Sequence, residues 1–192
     1  MWKKLSGLFC VICISTTLGL NTSVYAQEAS LNMEDCHVDG FKEKVQCGTL
    51  AVPENYQQPQ GTHIDLNITI LPAIDNSGNK LPLMFLAGGP GQAATELASL
   101  IRYRFYEIRK TRDIILVDQR GTGASSQLKC DVESLQNLDV YGTLSLDFDL
   151  SEVNDCVDQF TQDTTQFNSE NAIRDVDAVR AALGYKKINI YG

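Results

Sequence analysis

Apolar and polar side chains alternate in some stretches of this chain and run unbroken in others, which predicts two kinds of strand. Residues 63–71 alternate over nine positions, as expected for an antiparallel strand with one solvated face. Residues 81–86 and 113–118 each contain an unbroken apolar run, which is typical of parallel strands covered on both faces. A further short strand is predicted over 47–53, where Pro53 ends it.

The apolar pattern changes to helical spacing between the two unbroken runs. A helix is predicted over residues 93–110, beginning at a glycine-rich turn, with the apolar positions Leu97, Leu100, Ile101, Phe105 and Ile108. Strand, glycine turn, helix and strand together indicate a right-handed crossover unit in a parallel sheet. The expected fold class is therefore α/β, with a mostly parallel sheet and an antiparallel hairpin at its N-terminal side.

The second half of the chain predicts one long helix and the start of another strand. Residues 126–168 are polar and acidic, with a short amphipathic helix expected around Cys156. A second helix should begin with Asn168 or Ser169 as its cap and stop at Gly184, and its apolar stripe comprises Ile173, Val176, Val179 and Leu183. Residues 187–192 then begin another buried strand.

The N-terminus has the pattern of a signal peptide. Lys3 and Lys4 precede a mostly apolar run over residues 5–20, and small or modest residues at Val24 and Ala26 fit a cleavage site after residue 26. A membrane anchor is the alternative, but the run is short and polar residues follow it directly. We expect residues 1–26 to be removed, residues 27–35 to be loose, and the protein to be periplasmic or secreted.

The net charge limits the classes of molecule that the protein could bind. Removing residues 1–26 lowers Lys and Arg from 16 to 14 against 24 acidic residues, a formal charge of −10. This balance argues against nucleic acid and anionic membranes as partners.

Four cysteines remain after residue 26, and in an exported protein they are expected to form disulfides. They are Cys36, Cys47, Cys130 and Cys156. Of the three possible connectivities, Cys36–Cys47 with Cys130–Cys156 closes the shortest loops. A zinc site is disfavoured because no C-x-x-C pair is present and only His37 and His63 could assist.

The turn after residues 81–86 is the main candidate for chemistry. Gly88, Gly89 and Gly91 allow backbone N–H groups to approach a ligand closely, so the turn could hold a phosphate or an oxyanion. It is not a G-x-G-x-x-G motif, and no G-K-[ST] sequence of a P-loop occurs in the chain. Gly121 and Gly123 begin a similar pattern without its third glycine. We therefore expect no cofactor and no metal.

Four motifs together resemble a known family. CGTLAVPENY begins at Cys47, AGGPG at Ala87, DQRGTGAS at Asp118 and NAIRDVDAVR at Asn171. With the signal peptide and in this order, they are similar to the exported proline iminopeptidase and tripeptidyl aminopeptidase family of α/β-hydrolases. The resemblance implies an aminopeptidase that acts on peptide N-termini through an acyl-enzyme. It also implies that the glycine turn, through Gly88 and Gly89, supplies a backbone N–H to an oxyanion hole.

The DQRGTGAS motif is interpreted as a structural turn. Gly121 and Gly123 permit a tight exit from the strand, and Asp118 and Arg120 are expected to pair with each other. Ser125 lies in a Gly-x-Ser context, but residue 127 is glutamine rather than the glycine that a nucleophile elbow requires. It is therefore expected to be a turn residue.

The catalytic triad of such a hydrolase follows the order Ser, Asp or Glu, His. The sequence contains no G-x-S-x-G, and Gly192 stands where its first glycine would fall. Residues 27–192 are thus expected to be the part of the catalytic domain that precedes the nucleophile, inactive and poorly soluble alone. An esterase of the same fold and a non-catalytic truncated product are the alternatives.

Overall fold

The computed structural model describes residues 31–77, 80–89, 91–129 and 150–192. Its strands are β1 (Asn32–Cys36), β2 (Val45–Pro53), β3 (His63–Leu71), β4 (Leu83–Phe85), β5 (Ile114–Val117) and β6 (Asn189–Tyr191). Its α-helices are α1 (Ala98–Arg104), α2 (Tyr106–Arg109), α3 (Leu150–Val157) and α4 (Ser169–Ala182). The predicted signal peptide lies outside the described residues. None of the described helices is long and apolar enough to cross a membrane.

The six strands form one mixed sheet in the order β1-β2-β3-β5-β4-β6. From β1 to β5 each neighbour is antiparallel, whereas β4 is parallel to both β5 and β6. The predicted hairpin, which is β2 with β3, is confirmed, and so is the parallel pairing of β4 with β5. The sheet is mixed rather than mostly parallel, because β3 runs against β5 and β1 adds a further antiparallel pair.

Strand β1 was not expected, since residues 27–35 were predicted to be loose. From Asn32 onward this is wrong: β1 pairs with β2 along its whole length, and a disulfide joins Cys36 to Cys47. A strand at the edge of a sheet needs no apolar alternation, because backbone hydrogen bonds to one neighbour suffice to form it. The predicted Cys36–Cys47 pairing is confirmed.

Two hydrophobic clusters lie on opposite faces of the sheet. One contains Leu66, Ile68 and Ile115 together with Val179 of α4. The other contains Leu71, Ile114 and Leu116 with residues of α1. Helices therefore cover both faces, which places the described residues in the α/β class.

The predicted helix over residues 93–110 is broken. A 3-10 turn over Thr95–Leu97 precedes α1, and Phe105 leaves the helical conformation between α1 and α2. Leu100 and Ile108, predicted to face the core, are exposed. The buried positions include Ala94, Ala98 and Ile101. The two alanines are small, so the segment can approach the sheet closely.

Helix α4 has the predicted ends, and three of its four predicted stripe residues, Val176, Val179 and Leu183, lie in or against the core. The Asn168 side chain accepts a hydrogen bond from the N–H of Asn171, and Gly184 follows the helix with φ +77°. Ile173, predicted in the stripe, is 70% exposed, whereas the polar residues Asn171 and Asp175 are buried. These polar side chains can be buried because each has hydrogen-bond partners.

Strand β6 is exposed at all three positions, although residues 187–192 were predicted to begin a buried strand. Its only neighbour among the described strands is β4, so nothing in the described chain covers its outer edge. Helix α3, by contrast, confirms the short helix expected around Cys156. Cys156 is disulfide-bonded, and its predicted partner Cys130 lies outside the described residues.

Candidate functional site

A pocket of about 560 Å³ opens at the carboxyl ends of the parallel strands. Three segments line it: the glycine turn after β4, the turn after β5, and the start of α4. Its residues are Ala87, Gly88, Gly89, Gly91, Gln92, Gln119, Arg120, Thr122, Phe167, Asn168, Ser169 and Ala172. Ligands of α/β sheets bind at this edge, so the topology brings the two glycine-containing motifs of the sequence to one place.

The glycine turn presents its backbone to this pocket. Ala87 is buried, whereas Gly88 and Gly89 are exposed. Gly89 and Gly91 have φ of +132° and +90°, backbone conformations that residues other than glycine rarely adopt. Among the described residues, no hydrogen-bond acceptor faces the N–H of Gly88 or Gly89. These two groups are therefore free to bind an anion or a carbonyl oxygen on which negative charge develops.

Gln119 connects the turn after β5 to the glycine turn. Its side-chain Nε2 donates a hydrogen bond to the carbonyl oxygen of Ala87 at 3.0 Å. Sequence reasoning treated the residues around Gln119 as a turn but did not assign this contact. The sequence shows only that Gln119 stands between Asp118 and Arg120 in the turn. That position does not reveal which carbonyl group the side chain contacts.

Asp118 organises the backbone beneath the pocket. The prediction that Asp118 pairs with Arg120 is wrong. The Asp118 carboxylate accepts hydrogen bonds from the N–H and the hydroxyl of Thr95, each at 2.9 Å. It also accepts from the Asn67 side chain at 2.9 Å and from the N–H of Ala124. Asp118 is fully buried, and the four donors stabilise its charge. It therefore fixes the start of the segment that follows the glycine turn.

Arg120 instead forms a buried ion pair with Asp175 of α4. Two of its nitrogens donate to the two carboxylate oxygens at 2.7 Å, a bidentate arrangement. Its remaining donors reach the carbonyl oxygens of Pro53, Glu54 and Gln166. Arg120 thus joins the turn after β5 to the end of β2 and to α4.

Tyr56 completes this cluster. Its hydroxyl donates a hydrogen bond to Asp175 at 2.8 Å, and the Arg120 guanidinium lies 5.6 Å from its ring centre. Burial is the main cause that raises the pKa of Tyr56 well above its usual value, and the negative charge of Asp175 adds to it. Tyr56 is thus held in its neutral, hydrogen-donating form.

Ser125 and the two glycines of the same motif lie in the turn after β5. Ser125 is fully buried; its hydroxyl donates to the carbonyl of Asp118 and accepts from the N–H of Asn67, both at 2.7 Å. Gly121 and Gly123 have φ of +82° and +50°. Ser125 is therefore engaged in the turn and does not face the pocket as a nucleophile would.

Nothing in the described part of the chain gathers three potential metal ligands. His63 lies exposed at the start of β3, where its ring bonds the carbonyl of Gly61. The site therefore consists of backbone donors, a glutamine amide and a rigid polar support.

The chain is similar to proteins whose names describe hydrolases and peptidases. It is 27% identical over 187 residues to a tripeptidyl aminopeptidase of Streptomyces lividans, covering 87% of this chain and 34% of that protein. It is 28% identical over 160 residues to the serine protease Hip1 of Mycobacterium tuberculosis, covering 76% and 30%. It is 27% identical over 151 residues to the putative hydrolase YuaR of Escherichia coli, covering 74% and 30%.

These relatives confirm the resemblance to the tripeptidyl aminopeptidases that the four motifs indicated. The chain spans about a third of the length of the curated relatives it matches. No family model matches it.

Proposed function

We propose that residues 27–192 are the N-terminal portion of the catalytic domain of a serine peptidase with an α/β-hydrolase fold. The whole protein would release residues or short peptides from peptide N-termini through an acyl-enzyme. In this proposal the nucleophile, the acid and the base belong to residues that follow Gly192. The names of the relatives support a peptidase over other hydrolases.

The observation that carries the proposal is the pair of N–H groups at Gly88 and Gly89, which line the pocket at the carboxyl ends of β4 and β5 and have no hydrogen-bond partner among the described residues. Backbone donors held in advance at such a place stabilise the oxyanion of a tetrahedral intermediate. The order of the strands supports the fold, since β6 lies parallel to β4 and its carboxyl end is where a nucleophile elbow would project. A Cβ on Gly192 would lie 3.5 Å from the Cβ of Leu86, so that elbow would begin beside the glycine turn.

The described residues have a defined share in this mechanism. A serine attacks the carbonyl of the scissile peptide bond, the amine leaves with a proton from the base, and water hydrolyses the acyl-enzyme. Gly88 and Gly89 donate to the oxygen that carries the negative charge. Donors alone cannot form the intermediate, so residues 27–192 expressed by themselves are expected to be inactive.

The proposal is tested on the protein expressed from its natural reading frame. We expect labelling by a fluorophosphonate probe and cleavage of tripeptidyl or aminoacyl p-nitroanilides, with no activity from residues 27–192. Serine peptidases also hydrolyse p-nitrophenyl esters, because p-nitrophenolate leaves more easily than p-nitroaniline. Hydrolysis of the esters without cleavage of the anilides would therefore favour an esterase of the same fold. A product that neither labels nor cleaves either substrate would refute serine catalysis and favour a non-catalytic protein.

We also propose export, with residues 1–26 as a cleaved signal and a periplasmic or secreted location. The Cys36–Cys47 disulfide supports this, because disulfides persist in oxidising compartments. N-terminal sequencing of the protein from fractionated cells should begin at Gln27. A cytoplasmic protein that retains Met1 would contradict the proposal.

A further inference from the structure

Gln119 faces the peptide unit that carries the N–H of Gly88. Its amide nitrogen lies 3.0 Å from the carbonyl oxygen of Ala87, which belongs to the same peptide unit as that N–H. In a planar trans peptide the C=O and the N–H point in opposite directions. A hydrogen bond that holds the Ala87 carbonyl toward Gln119 therefore fixes the direction of the Gly88 N–H.

On its Gly88 side, little else in the described part of the chain restrains this peptide unit. A Cβ placed on Gly88 would meet nothing within 4 Å. Glycines have a wide range of backbone conformations, so the unit could rotate if its carbonyl were released. Among the described residues, Gln119 is the only one that donates a hydrogen bond to the Ala87 carbonyl.

Gln119 itself stands on a rigid support. Its carbonyl accepts hydrogen bonds from the hydroxyl of Thr122 at 2.8 Å and from the N–H of the same residue at 2.9 Å. Its neighbours Asp118 and Arg120 are both buried and anchored to other elements. The position of the amide is thus set by the same turn that ties β5 to α4.

We infer that Gln119 is a positioning residue, which orients the N–H of Gly88 toward the oxygen of the tetrahedral intermediate. This inference rests on the proposed function. A donor misplaced by about 1 Å can cost on the order of 100-fold in rate, and loss of one oxyanion donor costs about 100- to 1000-fold. Because Gln119 acts through Ala87 without touching the substrate, we expect a smaller loss, about 10- to 100-fold.

The test is Gln119→Met in the full-length enzyme, a change that keeps the length of the side chain and removes its donor. Fluorophosphonate titration gives the concentration of active sites, and kcat and KM are measured per titrated site with a tripeptidyl p-nitroanilide. We expect kcat to fall about 10- to 100-fold, with KM within about twofold. The inhibition constant of a tripeptidyl trifluoromethyl ketone, whose adduct is an oxyanion, should rise by the same factor as kcat falls.

The matched control is Arg112→Met. Arg112 donates to the carbonyl of Leu81 at 2.7 Å, so it makes the same kind of contact at the opposite end of β4, away from the pocket. We expect its kinetic constants to match those of the wild type.

Two failures can be told apart. If the wild type neither labels nor cleaves, the proposed function is refuted and the inference falls with it. If the wild type is active and Gln119→Met retains kcat per titrated site, or changes KM alone, the inference is refuted and the proposed function stands. A variant that merely loses stability would show fewer titrated sites with normal kcat, which also refutes the inference.

Discussion

Replacing Asp175 with asparagine tests whether the buried ion pair holds the pocket together. The side chains of Arg120 and Asp175 are only 2% and 4% exposed, so water cannot solvate a charge that loses its partner. Removing one member of such a pair costs about 3–5 kcal/mol. Three backbone carbonyls still accept from Arg120, which places the expected loss near the lower end, about 3 kcal/mol.

The free energy of unfolding is measured by urea titration of the mature protein. Far-UV circular dichroism is the signal. The matched control is Glu170→Gln in the same helix, which breaks the ion pair between Glu170 and Arg174. Those side chains are 74% and 46% exposed, so the control should lose less than about 0.5 kcal/mol.

A double variant separates the charge pair from the shape of the site. Arg120→Met with Asp175→Leu removes both charges, and apolar pairs of similar volume often match a buried ion pair in stability. Here, however, the change also removes the donor to three backbone carbonyls and the acceptor of the Tyr56 hydroxyl, so we expect it to be no more stable than Asp175→Asn. The reasoning is refuted if Asp175→Asn loses no more than the Glu170→Gln control.

Three further changes address the supports of the site. Gly123→Ala should lower the free energy of unfolding by about 1–3 kcal/mol in the same assay, because φ is +50° and the new Cβ would overlap the Asp118 carboxylate. Tyr56→Phe should remove one late-titrating phenol from the absorbance at 295 nm. Since its pKa is raised from 10.0, Tyr56 contributes stability that is present below pH 10 and lost as the pH rises above it, and the variant should lose less stability over that range. The double variant Cys36→Ser with Cys47→Ser should lose about 3 kcal/mol in the urea assay, since the disulfide closes a short loop.

Each of these has a control and a contradicting result. Gly88→Ala introduces a Cβ that meets nothing within 4 Å, so a loss as large as that of Gly123→Ala would contradict the steric argument. The control for Tyr56→Phe is Tyr103→Phe, because Tyr103 is 82% exposed; equal titration curves for the two tyrosine variants would be inconsistent with burial of Tyr56. A double cysteine variant with wild-type stability would mean that the edge strand β1 does not depend on its disulfide.

Strands β2, β3, β4 and β5 were predictable because each has its own local pattern, whereas β1 has none and was not predicted. Residues 63–71 show their alternation directly, and β3 has the predicted bounds. The break at Phe105 was not predictable from spacing, because it depends on how closely Ala94 and Ala98 approach the sheet. Ile173 is exposed, whereas the buried side of α4 combines Val179 with the polar residues Asn171 and Asp175, whose hydrogen-bond partners lie outside the helix.

The site was predictable as a location but not as a set of contacts. Glycine spacing identified the turn at Gly88 and Gly89, and the parallel pairing of β4 with β5 brought it beside the second motif. The hydrogen bond from Gln119 to Ala87 spans 32 residues of sequence, and the ion pair from Arg120 to Asp175 spans 55. Local patterns carry no information about which distant residues meet, so the interpretation of Asp118 as the partner of Arg120 was wrong.

The contacts of Arg120 also set the order in which the chain can assemble. Its acceptors lie 46 to 67 residues away, on both sides in sequence. Closing such distant segments carries an entropic cost that only the completed contacts offset, which slows folding. Until Asp175 has joined, the Arg120 guanidinium lacks its carboxylate partner. We therefore expect the turn after β5 to become fully ordered only when α4 packs, later than the pairing of β1, β2 and β3.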